Sequence, residues 1–322
     1  MANEVKAPPR GLWLGYGACA LAGALWGTGF YWGRLALNEM SVESMVLYRF
    51  AFACVGMLPV LLVGRHRVRL TAGEWRLLLI SAAFGVPVQF LLQFHGLALT
   101  TVSHASLMVG AMPVLLAAAA ALFAGERLDG IGWLALCAST AGAALIVLGG
   151  HRGPGVRGQP SLAGDLLVVA SLITALAWVL LSKKLMETHS PPVVTAYTIL
   201  SGAAMLAVCV LGPWLLSGWT GYKVSPPAFA HVSPTAWMAL AISGIFCTAA
   251  TTLLWNWGIH HVPASRAGVF LNIEPALGSL LGVELLHERL GPYAWAGGGL
   301  ILAAAITLTT RGHEPDPAVI LE

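Results

Sequence analysis

Charge is what this sequence has least of. Asp, Glu, Lys and Arg make up 10% of its 322 residues, and 57% are hydrophobic. Soluble domains carry about 25% charged residues. A water-soluble fold of this length cannot hide so much apolar surface, because surface falls too slowly with size. The bilayer is therefore the solvent for most of the chain. Metal-binding cysteine patterns are also missing. Cys19, Cys54, Cys137, Cys209 and Cys247 each fall in an apolar run, with no C-x-x-C and no Cys/His cluster of zinc spacing. They read as small buried hydrophobes. There is no Walker A sequence, which disfavours ATP-driven pumping by this chain alone. HExxH, GxSxG and paired carboxylates at mid-depth are absent too, so no enzyme, catalytic residue or cofactor is expected. A net charge of +3 calls for no nucleic-acid partner.

What is present is a succession of apolar runs. A spanning helix needs roughly 20 such residues. Ten runs qualify: 14–36, 44–64, 76–97, 103–124, 131–149, 163–185, 192–216, 235–258, 264–286 and 291–310. Lys6 and Arg10 precede the first, as in a signal peptide. The run from Leu12 to Leu37 exceeds a signal core of about 7–15 residues and carries Trp26, Tyr31 and Trp32. It is expected to be a retained helix. The Gly/Pro-rich segment 150–162 reads as a linker, 217–234 as the one long connection, and the tail 311–322 as disordered.

Lys and Arg in the loops set the orientation. With the N-terminus inside, Lys6, Arg10, Arg65, Arg67, Arg69, Arg76, Arg127, Lys183, Lys184, Arg266 and Arg311 are cytoplasmic. Arg34, Arg152, Arg157, Lys223 and Arg289 fall outside. Both termini are expected in the cytoplasm, and the chain in a bacterial inner (plasma) membrane.

The two halves repeat. When Gly96 is set on Gly258, Ser103 falls on Ser265, Pro113 on Pro275, Glu126-Arg127-Leu128 on Glu288-Arg289-Leu290, and Trp133 on Trp295, with no gap. Each half holds five spans, and an odd number turns the second half upside down in the membrane. Inverted repeats of this kind build many secondary transporters, with a site near the midplane where the halves meet. The fold class expected is all-α integral membrane, ten transmembrane helices as two inverted five-helix repeats. The expected divisions are 14–149, a linker at 150–162, 163–310 and a cytoplasmic tail at 311–322.

Particular residues add a resemblance. Leu25-Trp26-Gly27, Tyr48-Arg49-Phe50, the stretch from Gly96-Leu97 through Pro113, and Gly125-Glu126-Arg127-Leu128 with their second-half counterparts resemble the drug/metabolite transporter superfamily. The match is to its ten-helix members with two EamA-type halves, over about residues 14–310. The resemblance implies export of small metabolites, such as amino acids or related compounds, from a bacterial cytoplasm.

Several spans carry polar stripes at helical spacing. These are Gly85, Gln89, Gln93 and Gly96; Ser171, Thr174, Trp178 and Ser182; and Thr248, Thr252, Trp255 and Asn256. Against lipid, each unsatisfied amide costs several kcal/mol, so these faces turn inward. They either bond helix to helix or line a wet cavity, and their recurrence favours the cavity. Glu274, mid-span before Pro275, is the sharpest candidate, because intramembrane ionisable residues are functional by default. Proton carriage, or pairing with a substrate ammonium group, would suit it. Asn272, two residues away, points elsewhere on a regular helix. Pro113 and Pro275, matched across the repeat, are expected to break the helices that gate the path. Trp26 and Trp178 open the matched first spans. With Tyr31 and Tyr197 they supply an aromatic lining suited to flat rings or organic cations. Trp13, Trp75, Trp133, Trp237 and Trp295 fit the interfacial belt.

The remaining charges have milder readings. Arg49 is expected to snorkel or to pair with Glu39 or Glu43, with a gate contact or an anion-binding role as the alternative. Glu126 and Glu288 are expected to fix helix ends through Arg127 and Arg289. His95 and His104 flank one short loop, and His260 and His261 its counterpart on the opposite side. No shared metal site is therefore expected, although His95 is a candidate for the pathway. Gly23/Gly27, Gly29/Gly33 and Gly278/Gly282 form GxxxG pairs for close helix approach.

The substrate-cavity candidates are thus Trp26, Tyr31, Gln89, Gln93, His95, Trp178, Tyr197, Thr252, Asn256, Asn272 and Glu274. The reading is a secondary transporter working by alternating access on a small-molecule substrate in a lipid bilayer. Protons are a candidate coupling ion, and monomer and homodimer both remain open. The competing readings are an intramembrane enzyme and a non-transporting membrane receptor.

Overall fold

A computed structural model describes residues 10–63, 70–123, 130–149, 160–220, 231–261 and 268–311. Residues 150–159 of the linker, 312–322 of the tail, and the loops carrying Arg65 to Arg69, Glu126, Arg127, Lys223 and Arg266 lie outside the described residues. Ten helical spans follow one another, and the described residues contain no strand. They are α1 (Arg10–Leu37), α2 (Val42–Val63), α3 (Ala72–Leu99), α4 (Val102–Val109 and Met112–Phe123) and α5 (Gly130–Gly149). The second half holds α6 (Leu162–Met186), α7 (Pro191–Thr220) and α8 (Pro234–Gly244, Ile245–Ala250 and Thr251–His261). It ends with α9 (Gly268–Asn272 and Ile273–Leu286) and α10 (Pro292–Arg311). The protein is an all-α, multi-pass membrane protein. Among the described residues, five spans are long and apolar enough to cross a bilayer by length and composition alone.

Helix starts are written into the sequence. Thr71, Thr101, Ser161 and Ser233 cap α3, α4, α6 and α8, each accepting a backbone N–H three residues on. An oxygen there satisfies one of the donors that a helix leaves open at its first turn. Thr71 forms a full capping box with Glu74. Thr71→Ala is expected to cost about 1 kcal/mol, read as a lower melting temperature in detergent.

Contacts across the bundle come in exchanged pairs, as a twofold relation between the halves requires. Tyr48 of α2 meets Trp237 of α8 edge-on at 5.0 Å, and Tyr197 of α7 meets Trp75 of α3 edge-on at 6.0 Å. Gly96 of α3 packs on Gly164 and Val168 of α6, while Gly258 of α8 packs on Gly15 and Cys19 of α1. Both α3 and α8 widen to a π-helical turn at matched places, Phe84–Val88 and Ile245–Ala250. In α3 the wide turn accommodates Pro87, which lacks an N–H and would clash in a regular helix. In α8 there is no proline. Instead Thr248 and Thr251 donate to the carbonyls of Ser243 and Phe246, five residues back, which the wide turn exposes. Helices α4 and α9 are likewise interrupted at matched places. The first breaks at Gly110-Ala111 and the second changes from a 3-10 to an α-helix at Asn272-Ile273. Pro113 and Pro275 open the second segments, where a missing N–H costs nothing.

Gly23 and Gly27 let α9 approach α1. A Cβ on Gly27 would stand 3.0 Å from the Glu274 carbonyl oxygen and 3.0 Å from Leu277 Cβ. Gly278 and Gly282 admit Ser106 and Ser103 of α4 in the same way. Gly29 and Gly33 differ from expectation. They make room for side chains, Cys247 and the Arg49 guanidinium at Gly29 and the Phe94 ring at Gly33, rather than for a helix backbone.

Candidate functional site

Arg49 is the clearest departure from the sequence reading. It does not snorkel, and it pairs with neither Glu39 nor Glu43. Its side chain turns inward from α2 and is 4% exposed. Nε donates to Thr248 Oγ1 at 2.9 Å, on the π-helical turn of α8. The guanidinium carbon lies 5.1 Å from the ring centres of both Phe90 and Phe94 on α3. Those rings stack at 6.1 Å, and Phe50 meets Phe90 edge-on at 4.8 Å. Rings so placed offer the cation their electron-rich faces. Nη1 is buried and has no hydrogen-bond partner. A buried unpaired donor on a charged group is costly, so one guanidinium edge remains available for a ligand. Sequence pattern alone favoured the surface because Arg49 sits only two turns into its span. The pull inward comes from α3 and α8, which no local pattern shows.

Glu274 approaches from the other half. It occupies the first turn of the α-helical segment of α9, just past the break. Its side chain is only partly buried, and among the described residues it has no hydrogen bond or ion pair. Arg49 and Glu274 are near enough to feel each other's charge without touching. Cys247, which shares a 3.2 Å contact with Thr28 Oγ1, lies beside them. One cation from the first repeat and one carboxylate from the second thus face a common interior. Each keeps hydrogen-bonding capacity unspent.

The other sequence candidates fall at several places in the bundle. Trp26 lies against Trp255, with ring centres 5.6 Å apart. Tyr31 meets its neighbour Trp32 at 5.1 Å. Gln89 has a buried side-chain oxygen without a partner, and Gln93 is partly buried. Trp178 covers Gly85, and the matched contact in the other half is Cys247 on Gly29. Trp178 therefore corresponds to Gly29, not to Trp26. The two halves fill the same place from opposite sides, one with a ring on α6 and the other with side chains from α2 and α8. Tyr197 packs toward a helix end, against Trp75 and beside Leu78 and Leu185.

Much of the polar stripes is spent inside the protein. Thr252 donates to the Thr248 carbonyl at 2.6 Å, Asn256 Nδ2 donates to Thr195 Oγ1, and Ser182 pairs with Ser81 at 3.0 Å. Ser171 and Thr174 bond carbonyls of their own helix. Asn272 is buried at the α9 break. His95 lies 3.2 Å from Glu43 and lines an open, almost wholly apolar groove of about 420 Å³ with Pro87, Leu91 and Cys209. Among the described residues no cluster of three metal-ligating side chains occurs. Glu288 also differs from expectation. Its carboxylate accepts from the N–H groups of Val102 and Ser103 and from Ser103 Oγ, at 2.7 to 2.8 Å. It thereby caps α4 rather than pairing with Arg289. Sequence reasoning missed Arg49, Thr248, Phe90 and Phe94 as one group. The only hint was a charge within a span.

The model of the EamA-like transporter family matches residues 13–148 and again 162–310. The chain belongs to this family. It is 24% identical over 300 residues to an uncharacterized transporter of Archaeoglobus fulgidus, covering 92% of this chain and 97% of that one. The uncharacterized transporter YyaM of Bacillus subtilis is 23% identical, covering 78% and 79%. A solved crystal structure shares the fold at a TM-score of 0.61 and 20% identity, covering 93% of this chain and 96% of that chain. The EamA family and these relatives identify a membrane transporter for small molecules. In this EamA chain the family match covers both halves, so Arg49 and Glu274 come from different matched segments.

Proposed function

We propose that this chain is a secondary transporter that exports small zwitterionic metabolites, such as amino acids, from the bacterial cytoplasm by alternating access. The observation that carries the reading is the unspent Arg49–Glu274 pair, one charge from each half. An α-amino acid presents a carboxylate to the free edge of a guanidinium, which binds it in a planar, bidentate manner. Its ammonium group suits a carboxylate. A substrate spanning the two charges draws the halves together, which is the differential contact that a conformational change requires. The breaks before Pro113 and Pro275 supply places for that change. The halves 14–149 and 163–310 act as the rocking units, with both termini cytoplasmic, and Glu274 exchanges a proton when cargo leaves.

The test is counterflow of labelled amino acids into proteoliposomes of the purified chain. Glu274→Gln keeps the shape and removes the charge. It is expected to lower counterflow at least about ten-fold, since a lost charge-assisted bond is worth roughly 1.5–3 kcal/mol. Equal exchange by wild type and variant, or conversion of the label into a new compound, would overturn the reading.

A further inference from the structure

A second group of buried ionisable side chains lies at the end of the bundle where α3 turns into α4. His104, on the first turn of α4, is 3% exposed, and Asp165, on the first turn of α6, is 0% exposed. The two belong to different halves of the protein. Asp165 Oδ1 accepts from Thr100 Oγ1 at 2.6 Å. Its other oxygen, Oδ2, faces His104 Nδ1 at 3.8 Å. That separation is too long for a hydrogen bond, and both atoms are buried with no other partner. When the neutral ring carries its hydrogen on Nε2, two lone pairs face each other and repel. One proton on Nδ1 turns the same pair into a charge-assisted N–H···O bond.

The surroundings leave this proton site without a rival. Arg34 of α1 donates to the carbonyls of Leu97 and Thr100 and feels the charge of Glu288. Glu288 is held by the backbone of Val102 and Ser103. The other acidic and basic groups on the packed elements are His95 of α3, which is beside Glu43 of α2; Glu74 and Arg76 at the opposite end of α3 and Lys183 and Lys184 at the opposite end of α6; and Glu284, His287 and Arg289 at the end of α9, all exposed. Helix α5 and the described part of α4 beyond His104 carry none. Arg34 and Glu288 offset each other, so an ionised Asp165 gains a cation only when His104 binds a proton. The repeat does not copy the pair. His104 corresponds to Arg266, and Asp165, in the register that sets Tyr48 on Tyr197, corresponds to Tyr16. The device exists at one end of the bundle only.

We propose that His104 and Asp165 form a proton-binding site whose occupation locks the first turn of α4 onto the first turn of α6. One proton from the aqueous phase binds Nδ1 of His104, Asp165 stays ionised and accepts the new bond, and no covalent bond breaks. The pair closes from 3.8 Å to about 2.8 Å, drawing together a seam between the two halves. A proton taken up at one end only gives the movement a polarity that the near-symmetric bundle lacks.

The experiment reads the proton and not the cargo, so its outcome is independent of the transport reading. The full chain, labelled with 15N at histidine, is placed in nanodiscs and its imidazole signals are followed between about pH 5 and 9. His104→Gln assigns the His104 signal. Amide exchange of Val102–Ser106 is measured at both ends of the range and corrected for its intrinsic pH dependence. The expected results are a His104 signal that titrates, about ten-fold greater protection in the protonated state, and proton binding weakened about ten-fold by Asp165→Asn. A His104 signal that never moves, or protection equal at both pH values in the wild type, overturns the proposal. So does an unchanged titration in a folded Asp165→Asn protein. The wild-type measurements decide the matter even where a variant fails to fold.

Discussion

Arg49→Met is expected to abolish counterflow, by about 100-fold or more, while leaving the melting temperature unchanged or raised. The two effects have separate causes. Arg49 is buried with one guanidinium nitrogen unpaired, and its desolvation is offset by one hydrogen bond to Thr248 Oγ1, two ring faces and the nearby Glu274 charge. Replacing a buried charge by an apolar side chain of similar volume is often neutral, or stabilising by about 1–4 kcal/mol. Met is flexible enough to fill the space beside Phe90 and Phe94. Function fares differently, because the guanidinium edge is the only cation facing the Glu274 side of the interior among the described residues. Arg49→Lys separates charge from shape. Lys keeps the charge but loses the planar fork that bonds Thr248 and lies over two rings, so its counterflow is expected to fall between wild type and Met. A Met variant that melts far below wild type, or that still exchanges label within two-fold, would show that Arg49 serves the fold instead.

Gly164→Ala is expected to destabilise the protein by about 1–3 kcal/mol, the usual cost of forcing atoms into a filled space. Its added Cβ would stand 2.7 Å from the Leu99 carbonyl carbon, 2.8 Å from the Leu99 oxygen and 2.9 Å from the Gly96 oxygen. These are backbone atoms and cannot rotate away, so α3 and α6 must separate. Gly96→Ala meets Gly164 oxygen at 2.8 Å and Val168 nitrogen at 2.9 Å, and is expected to cost a similar amount. The double variant is expected to cost less than the sum, because the first methyl already parts the helices. Gly212→Ala in α7, with nothing within 4 Å of the new methyl, is the control and should change stability by less than about 0.5 kcal/mol. Denaturation in detergent followed by circular dichroism checks all four. Full additivity of Gly96→Ala and Gly164→Ala would contradict the shared contact.

The ten spans were legible because a bilayer demands long apolar runs, and each expected run overlaps one observed span. The helix interruptions at Gly110-Ala111 and Asn272-Ile273 lie close to Pro113 and Pro275, the prolines that the repeat sets on each other. The polar stripes were legible as inward faces, but not for what those faces do. Thr252, Ser171 and Thr174 bond carbonyls of their own helices, an outcome that spacing cannot separate from a cavity lining. Trp26 and Trp178 open matched spans without occupying matched places, and similar residues one turn apart look equivalent in sequence. Only the contact of Trp178 with Gly85, set against that of Gly29 with Cys247, fixes the register.

By itself the sequence determined the solvent, the number of spans and the kinship of the halves. Each follows from local hydropathy or from a matched run of residues along one chain. The tertiary structure decided which charges are central. Arg49 and Glu274 are drawn together by helices distant in sequence, and His104 meets Asp165 only because α4 and α6 begin side by side. A lone charge within an apolar run has a cost but no partner, and the partner exists only once the helices are packed.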